Sequence, residues 1–336
     1  MMRAVKGVGL LVLTLITLGA PPALAHRQDL GGTIDDLLEL GVRPFAIGHH
    51  GSGDNMGEDP TRPIENTVPS VRKAFKAGVS IVEVDVQRTR DGEVAVLHDD
   101  FLADFTCINQ LSMAELQRRL PFVPSLQAIL QNARKFNEPS GPLGGLVIVE
   151  LKAASPLCDP HDTEEEAIVA AVTRVIRQMR MTEQVIFNSF SPALLYVAAQ
   201  HAPEIARDLG IIGLQFLAAA EVEALLRLQV TPINKRLHLG LQWAEIGRIF
   251  RVPGYRSVDE VFATAAAVRA RVVEADIFFL QWAGASFVDA LHGFGLKAFG
   301  FTATNPDEWL FLQSLGLDGI YTDDVPFGVQ HQAPIP

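Results

Sequence analysis

The sequence predicts an α/β fold, a TIM-type (β/α)8 barrel, on three observations. Short apolar, β-branched runs alternate with longer helix-like stretches from residue 45 to residue 322. Alternation of this kind builds a parallel sheet, open or closed into a barrel. No internal repeat or linker interrupts it, and two of the runs carry acidic side chains near their C-terminal ends, where barrels keep their chemistry.

The strand candidates are 45–48, 80–86, 94–98, 146–151, 185–189, 206–212, 276–280, 296–301 and 318–322. Helical stretches fall between most of them, at 65–77, 125–135, 163–180, 191–201, 215–228, 258–271, 285–293 and 305–315. Pro192 and Pro306 near helix starts and Gly316 near a helix end supply the expected punctuation. A barrel wants eight strands, so one of the nine candidates, 206–212 or 276–280, is expected to be a loop or an outer strand. The segment 230–257, with Pro232, Pro253 and Gly254, has poor periodicity and reads as a long loop or lid.

Residues 1–25 read as a secretory signal: Arg3 and Lys6 precede an uncharged apolar stretch from Gly7 to Ala20, and Ala23-Leu24-Ala25 offers a small-x-small cleavage site. That stretch is short for a membrane span, so the mature chain, 26–336, is expected to be a single exported barrel domain with no stable span, periplasmic or secreted. Cleavage removes two basic and no acidic residues, leaving 26 basic against 39 acidic and a net charge of −13 instead of −11. Without a basic face, no nucleic-acid partner is expected. With 48% hydrophobic and 20% charged positions over 336 residues, intrinsic disorder is excluded. Cys107 and Cys158 are the only cysteines; in an oxidising compartment the pair suggests a disulfide, two free thiols being the alternative.

Parallel strands buried on both faces should be apolar throughout. Glu83 and Asp85 break that rule within Ile81–Val86, and alternation puts both on one face. Glu150 and Lys152 do the same at the end of the 146–151 run. Three converging carboxylates repel one another by roughly 4 kcal/mol per pair at 4 Å and an effective dielectric near 20. Either one of them takes a proton or a cation binds, and hard oxygen ligands without cysteine suit Mg²⁺ or Ca²⁺. His49 and His98 close the first and third strand runs, where two imidazoles beside a carboxylate cluster favour acid/base chemistry. Asp85 and His98 are thirteen residues apart, too close for a helical crossover. A simple hairpin is expected to strand His98 at the wrong end, so the prediction is a crossover lacking its helix, with Asp91-Gly92 turning the chain at the barrel bottom.

His49-His50-Gly51, Glu65-Asn66-Thr67, Glu83-Val84-Asp85-Val86, Thr89-Arg90-Asp91-Gly92, His98-Asp99 and Glu150-Leu151-Lys152 stand in the order of the glycerophosphodiester phosphodiesterases. Ser189-Phe190 and Asp318–Asp323 resemble that family's later strand signatures, so the likeness runs over about 44–327. The resemblance implies a barrel binding one divalent cation, Ca²⁺ or Mg²⁺, through Glu83, Asp85 and Glu150. It implies His49 and His98 as the acid/base pair, Glu65 lining the site and Lys152 meeting the phosphate of a small glycerophosphodiester. Release of glycerol 3-phosphate and an alcohol would follow.

The chain departs from the family pattern at His50, where a phosphate-binding arginine is usual and the histidine is still expected to donate a hydrogen bond to the phosphate, in a long Gly51–Ile64 stretch whose Arg62 could replace that charge, and at Phe301, where tryptophan is common. Two rival readings follow. One is a lipid phosphodiesterase of lysophospholipase D or sphingomyelinase D type, with an apolar entrance formed by 230–257. The other is an exported barrel that binds phosphodiesters without cleaving them.

Overall fold

The computed structural model describes residues 30–334 apart from 42, 140, 162, 219, 220, 223 and 225–253. The expected signal at 1–25 and residues 230–253 of the expected entrance lie outside them. Strands β1 (Phe45–Gly48), β2 (Ile81–Arg88), β3 (Val94–Val96), β4 (Leu146–Leu151), β5 (Val185–Ser189), β6 (Ala206–Ile211), β7 (Val272–Asp276), β8 (Lys297–Ala303) and β9 (Gly319–Thr322) form one sheet. Its order is β1-β9-β8-β7-β6-β5-β4-β2-β3, and β1 also pairs with β2, which closes eight parallel strands into a barrel and leaves β3 outside it.

Strand alternation divides the apolar residues into two cores. Val82, Val84 and Val86 face outward with Val147 and Val149, against helices such as Val68–Ala77 and Glu165–Met179. Ile47, Ile81, Leu146, Ile148, Ile186 and Val272 fill the barrel floor. The short helix Ile34–Glu39, held by a capping box between Thr33 and Asp36, plugs that floor with Ile34, Leu37 and Leu38. The C-terminal half of the interior is left for polar side chains.

Three expectations about the strands need correction. The run 206–212 contains a genuine barrel strand, β6. The run 276–280 is not a strand: Asp276 caps the helix Ile277–Ala283 by accepting the N–H of Phe279, and the strand lies just before it, at Val272–Asp276. The strand outside the barrel is β3, which runs antiparallel to β2, with Val86 opposite Val96 and Arg88 opposite Val94.

No crossover lacking its helix therefore joins β2 to β3. Asp91-Gly92 does turn the chain, Gly92 at φ 79°, but beyond the C-terminal end of β2 and not at the bottom. The hairpin still delivers His98 to Asp85 because β2 continues to Arg88 before turning. Arms of matched length then bring the Leu97 N–H back to the Asp85 carbonyl at 3.1 Å.

Candidate active site

The strand registers place a belt of polar residues around the barrel. Asp85 on β2 lies beside Glu150 on β4, Glu150 beside Asn188 on β5, and Asn188 beside Asp208 on β6. Glu83 is one interior position below Asp85, and Lys152 follows Glu150 just past the end of β4. One ligand oxygen from each of Glu83, Asp85 and Glu150 lies within 4.8 Å of the others. All three are buried.

Cationic and amide donors gather on Asp85. Lys152 Nζ is 2.9 Å from Asp85 Oδ1 and 2.7 Å from Glu150 Oε1. Asn66 donates Nδ2–H to Asp85 Oδ2 at 2.7 Å, while its Oδ1 accepts the Asp85 backbone N–H at 3.0 Å. Asn66 sits at φ 57°, a left-handed conformation that asparagine tolerates well. His50 Nε2 is 3.0 Å from Asp85 Oδ2. Burial alone would raise the Asp85 pKa, but Lys152, His50 and His98 together hold it well below the usual carboxylate range. Glu83 has no such partner on Oε1, and burial followed by repulsion from Asp85 pushes it up to about 8. Burial likewise raises Glu150, with Lys152 opposing.

This donor set fits a divalent cation. It offers three carboxylates, all hard oxygen donors, one of them with a buried oxygen that no hydrogen bond satisfies. A bound cation would also replace the proton that Glu83 otherwise takes, as positive charge does at such sites. Glu83, Asp85 and Glu150 would hold it.

The histidines occupy the rim. His49 Nδ1 is 2.8 Å from Asp323 Oδ1 and 3.2 Å from Asp54 Oδ1. Burial and the stacked His50 ring, 3.8 Å away, pull the His49 pKa down, yet the bonds to Asp323 and Asp54 prevail and push it up to about 10. His98 Nδ1 is 2.8 Å from Asp99 Oδ1. A carboxylate can only accept, so each Nδ1 carries its proton and Nε2 is left for exchange. His50 is buried at φ 46°, with Nδ1 2.8 Å from Asp54 and its backbone N–H donated to Glu83 Oε2 at 3.0 Å. The His50 ring is thus engaged with three acidic residues, Asp54, Glu65 and Asp85.

Glu65 is buried against His50: Oε1 is 3.6 Å from His50 Nδ1, and Oε2 accepts the Asn55 N–H. The cap of the following helix is Thr67. Arg62 does not join the cluster; it reaches the Ser52 carbonyl at 3.0 Å and the Asp323 carbonyl. Gly53 makes that packing feasible, since a Cβ there would sit 2.3 Å from the Asp323 oxygen. Phe301 packs edge-on against Phe190 and Tyr321. Cys107 and Cys158 are disulfide-bonded, tying the excursion after β3 to the loop after β4.

Sequence reasoning assigned no role to Asn66, Asp54, Asp323 or Asp99, although three of these stand inside the motifs quoted above. It missed Asp208 and Glu274 altogether. Both are buried in the interior with Asn188 and Tyr321, and burial pushes Asp208 up to about 8 and Glu274 well above its ordinary value. An acidic residue at alternate positions of an otherwise apolar run, the pattern that exposed Glu83 and Asp85, was the available signal.

A closed parallel barrel with carboxylates, a lysine and imidazoles at the C-terminal ends of its strands belongs to the class of barrels with a polar catalytic mouth. Within that class the match is specific: residues 49–326 fit the glycerophosphoryl diester phosphodiesterase family, and the chain belongs to it. A glycerophosphodiester phosphodiesterase of Caldanaerobacter subterraneus is 25% identical over 182 residues, 49% of this chain and 65% of that protein. The matches span from 6% to 65% of the curated relatives' own length. A solved structure from Silicibacter pomeroyi shares the fold with TM-score 0.64 at 19% identity, over 88% of this chain and 95% of that one. An Oleispira antarctica phosphodiesterase, solved with its product sn-glycerol-3-phosphate, has TM-score 0.58 at 21% identity, over 85% of this chain and 95% of that one.

Proposed function

We propose that this chain is an exported, divalent-cation-dependent phosphodiesterase that hydrolyses glycerophosphodiesters to glycerol 3-phosphate and an alcohol. One observation carries the reading: in a member of this family, three buried carboxylates meet within 4.8 Å on the rim that also holds Lys152, His49 and His98. A bound Ca²⁺ or Mg²⁺ would supply Lewis-acid polarisation of the phosphoryl oxygen and offset its charge.

The chain's own residues do the rest. Lys152 brings fixed positive charge to the mouth of an acidic protein and orients the phosphate. His49, whose proton Asp54 and Asp323 stabilise, protonates the departing alcohol from Nε2. His98, oriented by Asp99, takes the proton of the attacking oxygen. Asn66 and Glu65 keep Asp85 and His50 in place. The n-region, apolar stretch and cleavage site at 1–25 support export, and the Cys107–Cys158 disulfide fits an oxidising compartment.

The test is release of glycerol 3-phosphate from glycerophosphocholine, with added Ca²⁺ or Mg²⁺ and with a chelator. Cation-dependent release is the expected result. Binding without release at saturating cation would favour the non-catalytic barrel, and release insensitive to chelator would remove the metal from the proposal.

A further inference from the structure

Beside the carboxylate cluster, two stacked rings aim the same nitrogen at a single oxygen. The His49 and His50 rings lie 3.8 Å apart at an interplanar angle of 28°. His49 Nδ1 is 3.2 Å from Asp54 Oδ1, and His50 Nδ1 is 2.8 Å from that same oxygen. One ligand atom from each of the three residues lies within 4.8 Å of the others. Both histidines follow directly on β1, and Asp54 comes four residues after His50.

Hydrogen bonding leaves two atoms here unaccounted for. His50 Nδ1 is buried, and neither its approach to Asp54 nor its 3.6 Å separation from Glu65 Oε1 is aligned as a hydrogen bond. Glu65 Oε1 is buried too and finds no hydrogen-bond partner among the described residues. Buried polar atoms without partners are rare and call for an explanation. One ion answers for both: it would take the His50 nitrogen as a ligand, and a water on it would donate to Glu65.

The separations suit a small cation. Zinc holds imidazole nitrogen at about 2.0–2.1 Å and carboxylate oxygen at about 2.0–2.2 Å, which sets tetrahedral ligands roughly 3.3 Å apart. Two imidazoles and one carboxylate, with water in the fourth position, form a recurring zinc set, whereas Ca²⁺ and Mg²⁺ take oxygen ligands. The surrounding contacts agree. His50 Nε2 is 3.0 Å from Asp85 Oδ2, so the ligating ring would donate its other N–H to a carboxylate, as metal-bound histidines do. Lys152 and Asn66 hold that carboxylate in turn. The Asp54 side chain is half exposed, which gives an ion a way in from solvent.

We infer that His49, His50 and Asp54 form a second cation site, suited to Zn²⁺ or a similar borderline metal, beside the all-oxygen site of Glu83, Asp85 and Glu150. The inference does not depend on what the chain hydrolyses. The two sites divide metals by ligand chemistry: nitrogen selects the borderline ion, and carboxylates alone select the hard one.

The experiment titrates Zn²⁺ by calorimetry into the full chain held in saturating Ca²⁺, for wild type, Asp54→Ala, His50→Gln and Glu150→Gln. Wild type and Glu150→Gln should each take up one Zn²⁺ with similar affinity. Asp54→Ala and His50→Gln should weaken it by about 100-fold or more, beyond the roughly 10–100-fold loss that changes in outer partners cause. Because Asp54 is half exposed, its variant reads the site even where His50→Gln fails to fold. Co²⁺ in a second series should give the visible absorption of four-coordinate, nitrogen-ligated cobalt in wild type and not in Asp54→Ala. Zn²⁺ bound equally by wild type and Asp54→Ala, the mark of surface histidines, overturns the inference. So does Zn²⁺ binding that is lost in Glu150→Gln, which would seat the ion on the oxygen site, or a wild type that binds no Zn²⁺.

Discussion

The polar belt has two arcs that solve one electrostatic problem in opposite ways. On β2 and β4, Glu83, Asp85 and Glu150 are buried next to Lys152 and His50, with Asn66 donating as well. On β6 and β7, Asp208 and Glu274 are equally buried, with neutral Asn188 and Tyr321 beside them. Burial penalises ionised carboxylates in both places. In the first arc cations pull Asp85 well below its ordinary range while burial still raises Glu83 and Glu150, whereas in the second no cation among the described residues is near and burial raises both acids. The first arc therefore holds one firmly ionised carboxylate, Asp85, beside two raised ones that a cation could hold ionised, while the second arc has only raised acids with neutral partners.

The most forceful way to break this comparison is to remove charge from the first arc. Asp85→Asn should reduce glycerol 3-phosphate release by about 10³-fold, as expected where several kcal/mol of charge stabilisation are lost. Asp208→Asn, the matching change in the other arc, should leave turnover within a few-fold of wild type. Equal losses in a steady-state assay would mean that the two arcs are not functionally distinct.

His98→Ala should lower kcat by about 10²–10⁴-fold through loss of the proton acceptor, with cation affinity by calorimetry unchanged. Unaltered activity would exclude His98 from proton transfer.

Lys152→Met tests compensation itself. Leaving Asp85 and Glu150 without their ammonium should destabilise the chelated protein by about 3 kcal/mol. Added Ca²⁺ should then raise the melting temperature of the variant more than that of wild type, because the ion replaces the lost charge. A smaller cation-induced rise in the variant would contradict that account.

The mildest effect is expected in the second arc. The folded pKa of Asp208, about 8, lies above the unfolded value of about 3.9. The folded state therefore binds more protons between these values, and wild-type stability should fall as pH rises from about 4 to 8. Asp208→Asn should flatten that slope and stabilise the protein by about 2 kcal/mol at pH 8, measured by denaturant titration at several pH values. A slope unchanged in the variant would place the proton elsewhere.

Much of the first arc was legible in the sequence because its residues sit in strands that periodicity identifies. Glu83, Asp85 and Glu150 stood out as acids in Val/Ile-rich runs. The second arc was hidden by an ordinary failure of that reading. The run at 206–212 is one of two candidates for a loop or outer strand, and apolar Ile277–Leu280 draws attention from the true strand at Val272–Asp276, so neither Asp208 nor Glu274 is placed on an interior face. The β2–β3 hairpin was misjudged for a geometric reason: two more residues of strand beyond Val86 change where the return arm ends. Asn66, Asp54 and Asp323 act through loop conformation and long-range contacts, which spacing along the chain does not encode.

Equilibrium dialysis or calorimetry with Ca²⁺ and with Mg²⁺ on wild type, Asp85→Asn and Asp208→Asn tests most directly whether one arc holds an ion and the other a proton. One equivalent bound by wild type and by Asp208→Asn, and none by Asp85→Asn, is the predicted outcome. Cation binding that survives in Asp85→Asn but is lost in Asp208→Asn would contradict it.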